Sequence, residues 1–225
     1  MATNNQHAVV RKDGRGDTLS KLMHDLCHRL PTAAKVGETT LSMHVSAEAR
    51  DLSGESLSRY MNDLYGRIFS MMSSPDPAEK LGGIYAIDEL IDVQLGENAA
   101  KFSRFANYLR ELPFAIGTPC DTAIVNASVD TLGHLVRTGG ALTADVVEFE
   151  VKRALEWLET ERSEMRRYGA TIILAKMADN APTVFNVHVP GFIGTIWFGL
   201  RDAKISIRER ACAALRACLL VVEKR

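Results

Sequence analysis

No sign of charge prevails in this chain: 27 lysines and arginines stand against 28 aspartates and glutamates, a formal net charge of −1. A surface that tracks phosphates needs a basic excess, so nucleic acid is not an expected partner. No run of eighteen apolar residues occurs, and no transmembrane segment is expected. The four cysteines, Cys27, Cys120, Cys212 and Cys218, are scattered, which excludes a disulfide framework or a zinc ribbon and implies a reducing compartment. The opening stretch MATNNQHAVVRKDGRGD is polar and lacks the apolar run of a secretory signal. Phosphate-loop, dinucleotide-binding, nucleophile-elbow and protein-kinase signatures are all missing, so the chain itself reads as no enzyme and as needing no cofactor or metal. These absences describe a soluble intracellular protein.

Strand-like alternation is missing too, and in its place apolar residues recur at three- and four-residue steps. Residues 1–16 read as a disordered tail. Beyond them the spacing predicts helices near 18–30, 33–52, 55–73, 77–93, 98–112, 119–138, 143–159, 163–179, 183–200 and 203–223. Breaks fall at Pro31, at Pro75 and Pro77, from Pro113 to Pro119, at Gly139-Gly140, and at Pro182. Pro190 and Gly191 predict a kinked or split ninth helix. Thr143 reads as the cap of the helix whose Val147, Val151, Leu155 and Leu158 face inward, with Glu148 and Lys152 as an i, i+4 pair. In the last helix Ala211, Ala214, Leu215, Cys218, Leu219 and Val222 form the expected inner face.

Acids mark the turns between paired helices at Asp76, Asp121, Glu161 and Asp202, separated by 45, 40 and 41 residues. A two-helix unit of about forty residues is the period of HEAT repeats. The implied architecture is all-α: an α-solenoid of about five HEAT-type helix pairs in a right-handed superhelix, spanning 17–225. Its units fall near 17–52, 55–93, 98–138, 143–180 and 183–225. A helix pair cannot bury its apolar face alone, so each must stack on the next. Asp202 and Arg208 read as the ladder tying neighbouring units. Gly82-Gly83, Gly169-Ala170 and Ala211 read as points of close helix approach.

Few residues suggest chemistry. His24 and His28 share the i, i+4 spacing of a zinc site, but Asp25 stands where such sites carry glutamate, and Leu22, Leu26 and Leu30 make the helix an ordinary amphipathic one. Arg15-Gly16-Asp17 and Asn126-Ala127-Ser128 match extracellular motifs by chance. Lys101, Arg104 and Tyr108 form a polar line opposite Phe102, Phe105 and Leu109, a candidate protein-docking patch. Arg166 and Arg167 begin a second basic spot. Trp157 and Trp197 read as core anchors between repeats.

Longer strings are more specific. Lys101-Phe-Ser-Arg-Phe-Ala-Asn-Tyr-Leu-Arg110, Val147-Glu-Phe-Glu-Val-Lys-Arg-Ala-Leu-Glu-Trp-Leu158, Ala213-Ala-Leu-Arg-Ala-Cys-Leu219 and Gly82-Gly-Ile-Tyr-Ala-Ile87 resemble, in order, the extreme N-terminus of the target of rapamycin (TOR) kinases. The likeness runs from about residue 55 to 225 and is faint before residue 50. It implies a segment of a very large phosphatidylinositol-kinase-related Ser/Thr kinase that controls growth in response to nutrients. The catalytic and rapamycin-binding domains would lie elsewhere in the parent. The segment would act as a noncatalytic scaffold whose partners are the rest of the kinase, a Raptor-type subunit and a Ras-like GTPase. Its location would be cytoplasmic, reaching the lysosomal or vacuolar surface through the parent complex. Without the resemblance, the repeats alone fit a freestanding HEAT-repeat adaptor of a phosphatase or transport complex.

Overall fold

A computed structural model describes residues 18–28, 40–94, 98–111, 114 and 121–224. The expected tail, Arg15-Gly16-Asp17, Cys120 and most of the link between the first two predicted helices lie outside them. Among the described residues there is no strand. The chain divides into two compact units, one up to Leu95 and one from Gly96 onward.

In the first unit α1 (18–27) buries Leu19, Met23 and Leu26, and α2 (Leu41–Asp51) buries Leu41 and Val45. Where a helix was expected from residue 33, the described one begins at Leu41. Thr40 caps it by accepting from the Met43 N–H, and Glu89 Oε2 accepts from the Leu41 N–H at 2.9 Å, so the start is fixed from two directions. α3 (Gly54–Ser73) carries one stripe, Met61, Leu64, Ile68 and Met72. α4 (Pro77–Ile91) is buried on most sides, which its run of apolar and small residues permits. A Cβ on Gly82 would come within 2.8 Å of the Cys27 Sγ, and one on Gly83 within 2.7 Å of the Met72 side chain. The glycine pair therefore lets α4 close against both α1 and α3.

The second unit contains α5 (Asn98–Glu111), α6 (Thr122–Gly139), α7 (Ala144–Thr160), α8 (Glu164–Asn180), the single turn α9 (Pro182–Phe185), α10 (Val189–Leu200) and α11 (Ile205–Glu223). Helices pair as α5 with α6, α7 with α8, and α10 with α11, while α8 packs against both α6 and α11. This is the solenoid arrangement of helix pairs, each resting on its sequence neighbours. α8 sits in the middle and is buried continuously from Tyr168 to Leu174.

One local expectation changes and another is met. Gly140 has a φ of 51°, a left-handed conformation suited to glycine, and turns the chain out of α6 into a short 3-10 stretch. Thr143 ends that stretch. It does not cap α7: its buried hydroxyl donates to the Val136 and Gly140 carbonyls and pins the turn instead. The ninth predicted helix splits at the 3-10 segment Asn186–His188, ahead of Pro190. Proline costs a helix little in its first turn, and Pro190 opens α10 rather than kinking it.

Candidate protein-docking site

α10 presents an apolar ridge to solvent. Phe192, Ile196 and Gly199 face inward, with Phe192 and Phe185 meeting edge to face at 5.7 Å between ring centroids. That anchoring turns the following positions outward, leaving Ile193 37% and Trp197 51% exposed. Val187 and Phe198 are exposed as well. The 41-residue spacing from Glu161 to Asp202 makes Ile193 and Trp197 the repeat equivalents of Lys152 and Glu156 of α7. Both of those charged residues are exposed although α7 lies inside the unit. The ridge position thus stays wet within the stack, and here it carries apolar side chains. An exposed tryptophan beside an isoleucine is the composition of an interface anchor.

Trp197 was expected in the core and is not there. Trp157 does lie between helices, half-buried, its ring 5.0 Å from that of Phe114. The stretch Pro182–Leu200 is long and apolar enough, by length and composition alone, to cross a membrane. In this fold it is α9, a 3-10 turn and α10, with Phe185, Phe192 and Ile196 inserted in the unit.

Beside α7 lies an ion cluster that the sequence did not announce. Glu150 is fully buried and accepts from Arg110 Nε at 2.7 Å and from Arg153 Nη2. Arg153 Nη1 also donates to the Arg110 carbonyl near the end of α5, so one side chain spans two helices. The guanidiniums lie over aromatic rings, Arg110 over Phe149 at 3.8 Å and Arg153 over Trp157 at 4.4 Å. Burial pulls the Arg153 pKa down and the nearby Arg110 and Arg166 charges add to this, while Glu150 opposes it. One buried carboxylate is shared by two guanidiniums from α5 and α7, which makes the cluster a joint between these helices.

The expected ladder is built differently. Asp202 Oδ2 accepts from Nε of Arg167, on α8 of the preceding pair, at 2.7 Å. Arg208 instead donates through Nη1 to the Asp202 and Ala203 carbonyls at 2.7 and 3.0 Å, closing its own turn. The rung between successive helix pairs is Arg167–Asp202. Its second oxygen accepts from the Lys204 N–H, and the other turn acids behave alike: Asp76 accepts from Ala78, Asp121 from Ala123, and Glu161 from Arg162 and Ser163. Burial pushes the Asp202 carboxyl up. The hydrogen bonds from Arg167 and Lys204 and the charges of Arg167 and Arg208 outweigh it and leave the pKa below its ordinary value. A carboxyl lowered on folding stabilises the fold above its unfolded pKa and loses that contribution as pH falls through the folded one. Wild-type stability should therefore fall below about pH 4 more steeply than that of Asp202→Asn. Chemical denaturation across pH 2 to 7 checks this, and parallel curves would remove Asp202 from the account.

The proposed patch of Lys101, Arg104 and Tyr108 does not form one exposed line. Lys101 is only 3% exposed, its Nζ 5.0 Å from the Phe102 ring centroid, whereas Arg104 is exposed and Tyr108 half-buried. A long apolar stem lets lysine lie along a helix interface, which the polar pattern alone hides. His24 of α1 and His28, just past its end, meet edge to face at 4.7 Å, and among the described residues no group of three metal-ligating side chains occurs. Asn126 lies within α6 and accepts from the Tyr168 hydroxyl at 3.0 Å.

No family model matches the chain. It is 48% identical over 218 residues, 97% of its length, to "Serine/threonine-protein kinase TOR" of Arabidopsis thaliana. It is 50% identical over 196 residues to the protein of the same name in Oryza sativa subsp. japonica, 87% of this chain. Against "Serine/threonine-protein kinase TOR2" of Saccharomyces cerevisiae it is 35% identical over 218 residues, 92% of this chain. The chain spans only 9%, 8% and 9% of those relatives. With 97% of the chain aligned, the likeness reaches well ahead of residue 50, where the strings alone showed little.

Proposed function

The chain belongs to the TOR family of serine/threonine protein kinases, as a segment of that much longer polypeptide, and from that premise we propose that it is a noncatalytic scaffold and docking segment from the parent's N-terminal HEAT region. Its task is to hold the kinase complex together and to offer a surface to a Raptor-type subunit and a Ras-like GTPase, in the cytoplasm and at the lysosomal or vacuolar membrane surface. The observation that carries this reading is the wet apolar ridge of Ile193 and Trp197, at a position where the neighbouring pair carries Lys152 and Glu156. Evenly spaced helix pairs suit such a role, because they build an extended surface without a deep catalytic cleft.

Affinity capture with the tagged chain, from nutrient-fed and starved lysates, tests it. The wild type should retain TOR-complex subunits. Trp197→Asp should lose at least about tenfold of them, the scale of a hot-spot truncation. Because Trp197 is half in solvent, its thermal midpoint should barely move. Capture of phosphatase or transport subunits instead would favour the freestanding-adaptor reading, and undiminished capture by Trp197→Asp would remove the ridge from the interface.

A further inference from the structure

Along α10 a glycine stands where nothing inside the fold asks for one. Gly194 lies mid-helix and exposed, and a Cβ placed on it would meet nothing within 4 Å. Glycine weakens a helix interior relative to alanine, so the fold gains nothing from a bare position there. Pro190, Ile193, Gly194 and Trp197 fall at i, i+3, i+4 and i+7, and all four are exposed. Residues so spaced frame the hole that receives a side chain from a facing helix, and Gly194 is its floor. On α7 the equivalent places, 41 residues earlier, hold Phe149, Lys152, Arg153 and Glu156, three of them charged and none small. The hole is therefore a feature of α10 and not of the repeat.

The charges around the hole narrow what fits it. Val189–Leu200 contains no charged residue. One turn past Trp197, on the same side, stands Arg201, exposed, and among the described residues its guanidinium makes no ion pair or hydrogen bond. The other nearby cations are occupied, Lys152 by Glu148 and Lys204 by Glu164. Alongside, α7 packs on α10 and exposes Glu156 and Glu159. An anionic lipid surface would meet these carboxylates, whereas helices that lie on membranes carry a cationic flank. An uncharged ridge closed by one free arginine suits instead a helix whose apolar stripe ends in an acid.

We propose that the ridge receives an amphipathic α-helix of another protein, which lowers one large apolar side chain onto Gly194 between Ile193 and Trp197 and sets a carboxylate on Arg201. Gly194 and Arg201 are two helical turns apart, so on the partner helix the acid lies about two turns from the inserted side chain. The proposal rests on the docking reading and names the chemistry of its partner. A following pair of the stack is not the occupant: Lys152 and Glu156, at the equivalent places on α7, stay exposed although α10 packs on α7.

Capture of TOR-complex subunits by the tagged chain is the first test. Gly194→Leu should keep or raise the thermal midpoint, since its Cβ meets open space, yet lose at least about tenfold of the subunit that Trp197→Asp releases. Unspecific apolar adhesion predicts the reverse, because leucine enlarges the apolar surface. Arg201→Glu should lose as much as Gly194→Leu. In the purified full-length parent complex, a diazirine analogue of leucine at position 193 should crosslink to a helix of another subunit that carries a carboxylate about two turns from the crosslinked residue. Crosslinks to lipid, to the parent's own chain or a second copy, or to a segment without that acid would overturn the proposal, as would a fall in the midpoint of Gly194→Leu. Undiminished capture by Trp197→Asp would remove the docking reading and this inference with it. Loss with Trp197→Asp but not with Gly194→Leu or Arg201→Glu would keep that reading and sink the inference alone.

Discussion

Glu150→Ala is expected to lower the stability of the second unit by about 3–5 kcal/mol, the cost of breaking a buried ion pair from one side. The carboxylate is 0% exposed, and the side chains of its partners Arg110 and Arg153 are only 17% and 13% exposed. Removing it leaves two guanidiniums mostly out of water with no carboxylate partner, in a place where Arg153 Nε already has no acceptor. Packing loss alone would be much smaller, and a second variant separates the two effects. Glu150→Gln keeps the shape and an acceptor oxygen but drops the charge, so it should lose less. Replacing Arg110, Glu150 and Arg153 together by methionine and leucine should also cost less than Glu150→Ala, since no orphaned charge remains. Hydrogen exchange in α5 and α7 is the suitable readout, because Arg153 bridges these helices through the Arg110 carbonyl. A loss below about 1 kcal/mol for Glu150→Ala would mean that the cluster is wet and behaves as a surface pair.

The helix pairs and their period were legible because turn acids do local work. Asp76, Asp121, Glu161 and Asp202 each accept backbone N–H groups where a helix begins, so their spacing reports the repeat directly. Gly82 and Gly83 were legible for a related reason: a side chain at either would strike a neighbouring helix, and one at Gly169 would strike the Phe114 ring. What failed to show depends on which of two apolar stripes faces a neighbour. The last helix carries Ala211, Ala214 and Cys218 on one stripe and Leu215, Leu219 and Val222 on another, and spacing alone merges them into one face. Trp197 misled for the same reason, although its register with the exposed Glu156 contained the signal. Glu150 and Lys101 were hidden because charged residues on a helix normally mark its wet side, and only the partner from another helix reveals the exception. The Arg167–Asp202 rung was missed because Arg208 lies at a plausible distance along the chain, whereas the real partner belongs to the preceding pair.

The central claim is that the second unit is a one-dimensional stack, in which each helix pair is held by its neighbours and presents its own surface. Native-state hydrogen exchange on Phe192→Ala tests it most directly. Phe192 is fully buried, packs on Phe185 and sits in α10, which rests on α7 and α11. Deleting such a ring costs about 3–5 kcal/mol. In a stack that loss stays near its origin, so α10 and α11 should lose most of their protection while α5 and α6 keep theirs. An equal loss of protection along residues 98–223 would show a single cooperative bundle and contradict the account.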